Sequence, residues 1–191
     1  MRISRHYSDD HLNYDTFETR VAIYEDQVRG WFLDQARILE KCSDHGAFVL
    51  LLVALSYVEG HAIFYRGQDS NRQSPIFFRD AFKAIFPPIS DSPELVDQAI
   101  TELYHQVRCG LFHTGMIRKK VILDGAFSLP AQAIIDSASK TVLRVEINPH
   151  KILDAIEDHL SRYIMRLRNP DERKLRENFE KAWELRMILE K

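Results

Sequence analysis

The stretch Ala47 to Leu55 limits what this chain can fold into more than any other, because it is apolar on nearly every side of a helix. With the residues that follow, it predicts a helix from about His45 to Tyr65, capped by Ser43 or Asp44 and stopped at Gly67. A helix without a polar face has to be surrounded, so it is expected at the centre, with other elements packed around it. The apolar run itself is too short to cross a bilayer.

The remaining segments supply elements that can do the surrounding. Tyr14, Phe17, Val21, Tyr24, Val28, Trp31 and Ile38 recur three and four apart, which predicts one long helix over about Tyr14 to Lys41, with Asp9 and Asp10 available as caps and Gly30 as a weak point. Gln68 to Ser74 reads as loop. Pro75 to Phe86 is a short aromatic helix ended by Pro87 and Pro88. Asp91-Ser92-Pro93-Glu94 is a helix start, and Leu95, Ala99, Leu103 and Val107 carry that third long helix forward. After Asn148-Pro149, Ile152, Ile156, Leu160, Tyr163 and Leu167 mark another helix. Asn169-Pro170 breaks it, and Leu175, Phe179, Ala182, Trp183 and Leu189 mark the last.

Between the third and fourth long helices the pattern changes. Lys119 to Leu123 and Thr141 to Ile147 are rich in β-branched residues, and Leu143, Val145 and Ile147 alternate with Arg144 and Glu146. The expected fold is therefore mainly α. It is a helical bundle of four to five long helices, one domain over 1–191, with a small antiparallel β insertion at about 118–147. Only seven glycines and seven prolines fit that reading better than a turn-rich sandwich.

Composition removes several functions. The net charge of -2 announces no basic field for nucleic acid, though a local basic patch remains open. Cys42 and Cys109 are too few for a disulfide framework, and Met1 to Asp15 has no apolar core of a secretory signal, so a cytoplasmic location is expected. No paired Cys or His spacing of a metal motif is present, nor a phosphate-binding glycine loop, nor a serine nucleophile elbow. No metal and no cofactor is expected.

Chemistry concentrates in Arg108-Cys109-Gly110-Leu111-Phe112-His113. Arginine offers a permanently charged fork for phosphate oxygens, and histidine exchanges protons near neutral pH. Together they are a minimal kit for cleaving an RNA phosphodiester. Yet five positions on a regular helix turn about 500°, leaving the two side chains about 140° apart. Either the helix ends or distorts at Gly110, or the site combines side chains from two chains.

The segment from Tyr104 to His113 resembles the motif of the HEPN superfamily (higher eukaryotes and prokaryotes nucleotide-binding domains): Arg, four to six residues, then His, late in a helix of an all-α bundle. Ile147-Asn148-Pro149 before an amphipathic helix is similar to uncharacterised bacterial members. The resemblance implies a metal-independent ribonuclease acting as a homodimer, in which Arg108 stabilises the phosphate and His113 transfers the proton. It also implies a place in a toxin–antitoxin or defence system, with an antitoxin or operon partner. Catalytic members commonly carry Asn, Asp or His directly after the Arg, where this chain has Cys109. Other members are non-catalytic modules that bind a nucleotide, RNA or a protein partner, and that alternative stands beside the first.

Neighbouring residues each admit two readings. Glu59, near the middle of the apolar helix, either pairs with Arg108 or reaches solvent at a helix edge. Tyr104, one turn before Arg108, either contacts phosphate or a base, or belongs to the core. His105 either shares the site or does not. Arg118, Lys119 and Lys120 either hold RNA backbone or form a solvated strand edge. His61 reads as a partly buried structural histidine. The cluster Arg173, Lys174 and Arg176 reads as an exposed helix face.

Overall fold

The computed structural model describes residues 2–8, 10, 16–42, 46–117 and 119–187, excepting the side chains of 186 and 187. The capping expectations for Asp9, Ser43 and Asp44, the stripe position Tyr14, the basic residue Arg118 and Leu189 lie outside them.

Around the apolar segment the expectation holds. Helix α3 (Ala47–Arg66) packs against α4 (Ser74–Ile85), α7 (Pro149–Arg168) and α8 (Arg173–Met187). Leu50, Leu51, Ala54 and Val58 on it are almost fully buried. At 20 residues and a mean hydropathy of 1.9, α3 is long and apolar enough to cross a membrane by length and composition, but here it is the half-buried core helix of a mainly helical structure. Its C-terminus is set by Gly67, which sits at a left-handed φ of 66° and donates its N–H to Ile63 O. The same glycine lets α8 approach: a Cβ there would lie 2.7 Å from Asn178 Cα. Asn178 Nδ2 in turn donates to Tyr65 O at 2.7 Å.

The first long helix differs instructively from its expected stripe. It consists of α1 (Phe17–Val28), a π turn over Arg29–Leu33 and α2 (Asp34–Cys42). Val21 and Tyr24 are buried as expected, but Trp31 is 50% exposed and Ile38 is 55% exposed. Leu33 and Ala36 are buried in their place. A π turn takes in one residue more than an α turn, so the core-facing positions after it no longer follow the stripe of an uninterrupted helix. Gly30 is buried within this turn, where a Cβ would lie 3.1 Å from Arg5 Cβ of the N-terminal segment.

The third long helix likewise comprises α5 (Pro93–Leu103), a π turn over Tyr104–Arg108 and α6 (Cys109–Thr114). It starts as read, with Ser92 at the N-cap and Pro93 in the first turn.

The sheet follows, and it is mixed, not antiparallel. Strands β1 (Val121–Leu123), β2 (Ala131–Asp136) and β3 (Thr141–Ile147) stand in the order β1-β3-β2. β2 and β3 form an antiparallel hairpin, and β1 pairs parallel to β3. The chain reverses between β1 and β2 and again between β2 and β3, so β1 reaches the far side of β3 running the same way. The expected alternation along β3 also breaks. Ile134 pairs with Arg144 but Ile135 pairs with Val142, so Leu143 is the extra residue of a bulge. Val142, Val145 and Ile147 therefore face inward, and Leu143 is 51% exposed. Asn148 joins the sheet to α7. Fully buried, it accepts from the N–H groups of His150 and Lys151 and donates to the carbonyls of Gly125 and Phe127.

Candidate functional site

The helix that carries Arg108 buries Ala99, Ile100, Leu103, Val107 and Leu111, which leaves Arg108 on its flank toward α3. There it meets Glu59. Arg108 Nε donates to Glu59 Oε1 at 2.5 Å and Nη2 donates to Oε2 at 2.8 Å, a two-pronged pair with side chains 21% and 24% exposed. The guanidinium carbon lies 4.8 Å from the centre of the Phe112 ring and 5.7 Å from that of Tyr104. Hydrogen bonding to Glu59 raises the pKa of Arg108 above its already high ordinary value. Of the two readings of Glu59, the paired one is observed.

The pair occupies one edge of the guanidinium. Nη1 and the remaining Nη2 hydrogen have no hydrogen-bond partner among the described residues. That edge is available to an acceptor such as a phosphate oxygen, and Glu59 and the two rings fix its direction.

Helix α6 is regular, so Gly110 does not bend it; the distortion lies one turn upstream, at Tyr104–Arg108. Gly110 is buried, and its carbonyl accepts from Thr114 Oγ1 at 2.8 Å and from the Met116 N–H at 3.4 Å. The helix ends one turn later on Gly115, left-handed at φ 68°. His113 lies in this last turn, exposed, and its side chain makes no hydrogen bond or ion pair among the described residues. With a regular helix between them, Arg108 and His113 keep the separation of about 140° and do not converge within one chain. The convergence within one chain that a bend at Gly110 would give is not observed.

The other expected residues are distributed around this centre. Tyr104 is 8% exposed and packs edge-on against Phe78, so it belongs to the core. His105 is exposed, its ring edge-on to Tyr104 at 5.4 Å. Lys119 is exposed, whereas Lys120 is committed to Glu102 at 2.8 Å. Burial pushes the Glu102 carboxyl up, but hydrogen bonds from Lys120 and Gln106 outweigh it, and the net pKa is lowered. Cys109 is half-buried and forms no disulfide. Among the described residues no group of three or more His, Cys, Asp or Glu side chains is placed to hold a metal ion.

One polar cluster escaped sequence reasoning. Tyr57, His61 and Tyr65 lie four apart along α3 and meet His159 and Tyr163, four apart on α7. Tyr57 Oη and His159 Nδ1 are 2.9 Å apart. The His61 ring stands edge-on to His159 at 4.3 Å and to Tyr163 at 4.7 Å. His61 is 1% exposed, more deeply buried than expected. Burial lowers its pKa far below the ordinary histidine range and lowers that of His159 to about 4, with Arg162 and Arg166 adding repulsion at His159. Matching i, i+4 aromatic spacings on two helices were the available signal.

Comparison of the chain with family models, with curated proteins and with solved structures gave no match. The functional reading therefore rests on the site.

Proposed function

We propose that the chain is a metal-independent endoribonuclease of HEPN type, a helical bundle that works as a homodimer. The observation that supports this best is Arg108 itself: a half-buried guanidinium held by Glu59 and two aromatic rings, with one edge left for phosphate. An exposed imidazole, His113, stands five residues on. In the reaction, a ribose 2′-oxygen attacks the adjacent phosphorus and the bond to the 5′-oxygen breaks, leaving a 2′,3′-cyclic phosphate and a 5′-hydroxyl. His113 moves the proton from the attacking hydroxyl or to the leaving oxygen, and Arg108 stabilises charge on the phosphoryl oxygens. Because one helix does not aim both at one phosphate, Arg108 of one protomer works with His113 of the other. Phe112 at 45% and Met116 at 63% exposure provide apolar surface beside the site for that contact. Lys119 extends the positive surface toward RNA, and a cytoplasmic toxin or defence effector held by an antitoxin is the setting this chemistry suits.

A second reading has its own support. Glu59 already pairs with Arg108 and offsets its charge, and Cys109 stands where catalytic members carry a polar residue. Both favour a non-catalytic module that binds a nucleotide, RNA or a protein partner.

The deciding experiment incubates the protein with labelled RNA in EDTA, beside Arg108→Ala and His113→Ala. Cleavage by the wild type alone, with cyclic phosphate ends, supports the nuclease. RNA left intact by a dimeric wild type refutes catalysis, and retardation of that RNA on a gel then supports the binding module. A protein that stays monomeric at working concentration in sedimentation sinks the composite site.

A further inference from the structure

Away from Arg108, a half-open cavity of about 490 Å³ lies between the last turn of α4, the start of α5 and the segment 87–92 that joins them. We propose that this cavity binds an organic cation, an amine whose apolar body is about two rings in size, and that Asp91 pairs with its ammonium group. This proposal is independent of the nuclease reading.

Three observations carry it. First, Asp91 is an accessible carboxylate with nothing to balance it. It lines the cavity, is exposed, and its side chain makes no hydrogen bond or ion pair among the described residues. The other charged side chain in the lining, Lys83, is already paired with Asp97. The start of α5 adds about half a positive charge, and Glu94 in its first turn offsets that. The surplus at the mouth is therefore negative, which attracts a cation and repels an anion.

Second, the rest of the lining is apolar and within a ligand's reach. Phe82, Phe86 and Ile100 form a buried floor, around which stand the exposed Pro87 and Pro88 and the half-buried Val96. The body of a ligand rests against these accessible side chains and need not enter the core. At about 490 Å³ the cavity lies within the usual range for small-molecule sites, about 300–1,000 Å³. A two-ring amine is of a size to occupy it.

Third, the cavity is formed before any ligand arrives. Pro87, Pro88 and Pro93 fix their own φ angles. The Ile89 carbonyl accepts from the Ala133 N–H of β2 at 2.9 Å, which ties the segment to the sheet. The Ser92 N–H donates to Ser90 Oγ at 3.3 Å. Binding therefore requires little further ordering of the chain.

The test uses tryptamine, its uncharged N-acetyl form, and indole-3-propionate as the anion. Calorimetry on the whole chain reads affinity, and amide NMR shifts read the place. The expected result is saturable one-to-one binding of tryptamine with a Kd below about 1 mM, with shifts centred on residues 83–96. The acetyl form should bind about three- to fivefold more weakly, the upper worth of an accessible ion pair, and the propionate more weakly still. Asp91→Asn should remove the difference between tryptamine and its acetyl form, and it should fold as the wild type does because the Asp91 side chain holds nothing in the protein. Val96→Trp fills the cavity from its rim and should abolish binding of all three at an unchanged fold. Absence of saturable tryptamine binding overturns the proposal. So does propionate bound as tightly as tryptamine, or a preference for tryptamine that survives Asp91→Asn.

Discussion

Removing Glu59 should release Arg108, and the size of the effect follows from how the pair is placed. At a separation of about 4 Å between charge centres and an effective dielectric of about 20, the attraction is about 4 kcal/mol. Desolvating both groups and ordering two long side chains offset much of this. Fully exposed pairs are worth about 0.2–1 kcal/mol, and breaking a fully buried one costs about 3–5 kcal/mol. Side chains 21% and 24% exposed, joined by two bonds at 2.5 and 2.8 Å, belong between these limits. Glu59→Ala should therefore destabilise by about 2 kcal/mol. Arg108→Ala should cost about the same plus about 0.5–1 kcal/mol for its contact with the Phe112 ring. In a double-mutant cycle measured by urea unfolding, the coupling between the two should be about 1–2 kcal/mol, with unchanged denaturant slopes. A coupling within about 0.3 kcal/mol of zero would mean that Glu59 does not hold the guanidinium, and the direction argued for its free edge would go with it.

Gly67 and Gly115 share a left-handed φ but not their surroundings: a Cβ at Gly67 would meet the Asn178 backbone, and one at Gly115 would meet nothing within 4 Å. Gly115→Ala should cost only the conformational strain of about 1–2 kcal/mol, whereas Gly67→Ala should cost about 1–3 kcal/mol more. Equal melting temperatures for the two variants would show that α8 does not dock against the end of α3. A third expectation concerns acid. His159 has its folded pKa lowered to about 4 from 6.5 by burial, so below 6.5 the unfolded chain takes up a proton that the folded chain refuses. Its contribution is complete above pH 6.5 and is lost as pH falls toward 4, by roughly 1 kcal/mol per pH unit. His61, lowered in the same direction, extends the loss. Urea midpoints between pH 7 and 5 should fall more steeply in the wild type than in His159→Phe, and parallel slopes would rule His159 out as the cause.

What could be read from the sequence was whatever depends on neighbours along the chain. Ser92-Pro93 and Asn148-Pro149 start helices because their chemistry acts within one turn, and Gly67 ends one for the same reason. The pairing of Glu59 with Arg108 was accessible because a carboxylate inside an apolar helix needs a cation. The two π turns were not accessible, since one added residue leaves no local signature beyond Gly30 in the first of them. Strand β2 was missed because Ala131-Gln132-Ala133 is a weak strand former until β3 lies beside it. The histidine cluster joins residues 102 positions apart, Tyr57 to His159, and only the packing of α3 on α7 brings them together.

The π turns have a consequence for how a chain like this can change. Each holds one residue more than a regular helix uses to link the same two faces. Losing a residue within Arg29–Leu33 or Tyr104–Arg108 would straighten the helix and leave the flanking helices facing the core as before. The first loss would be felt at the buried Gly30 and Leu33, and the second would shift the shelf on which Arg108 rests. Single-residue changes in length are usually ruinous inside a helix. In these two places the extra residue gives the fold a way to absorb one, at the cost of repacking the turn itself.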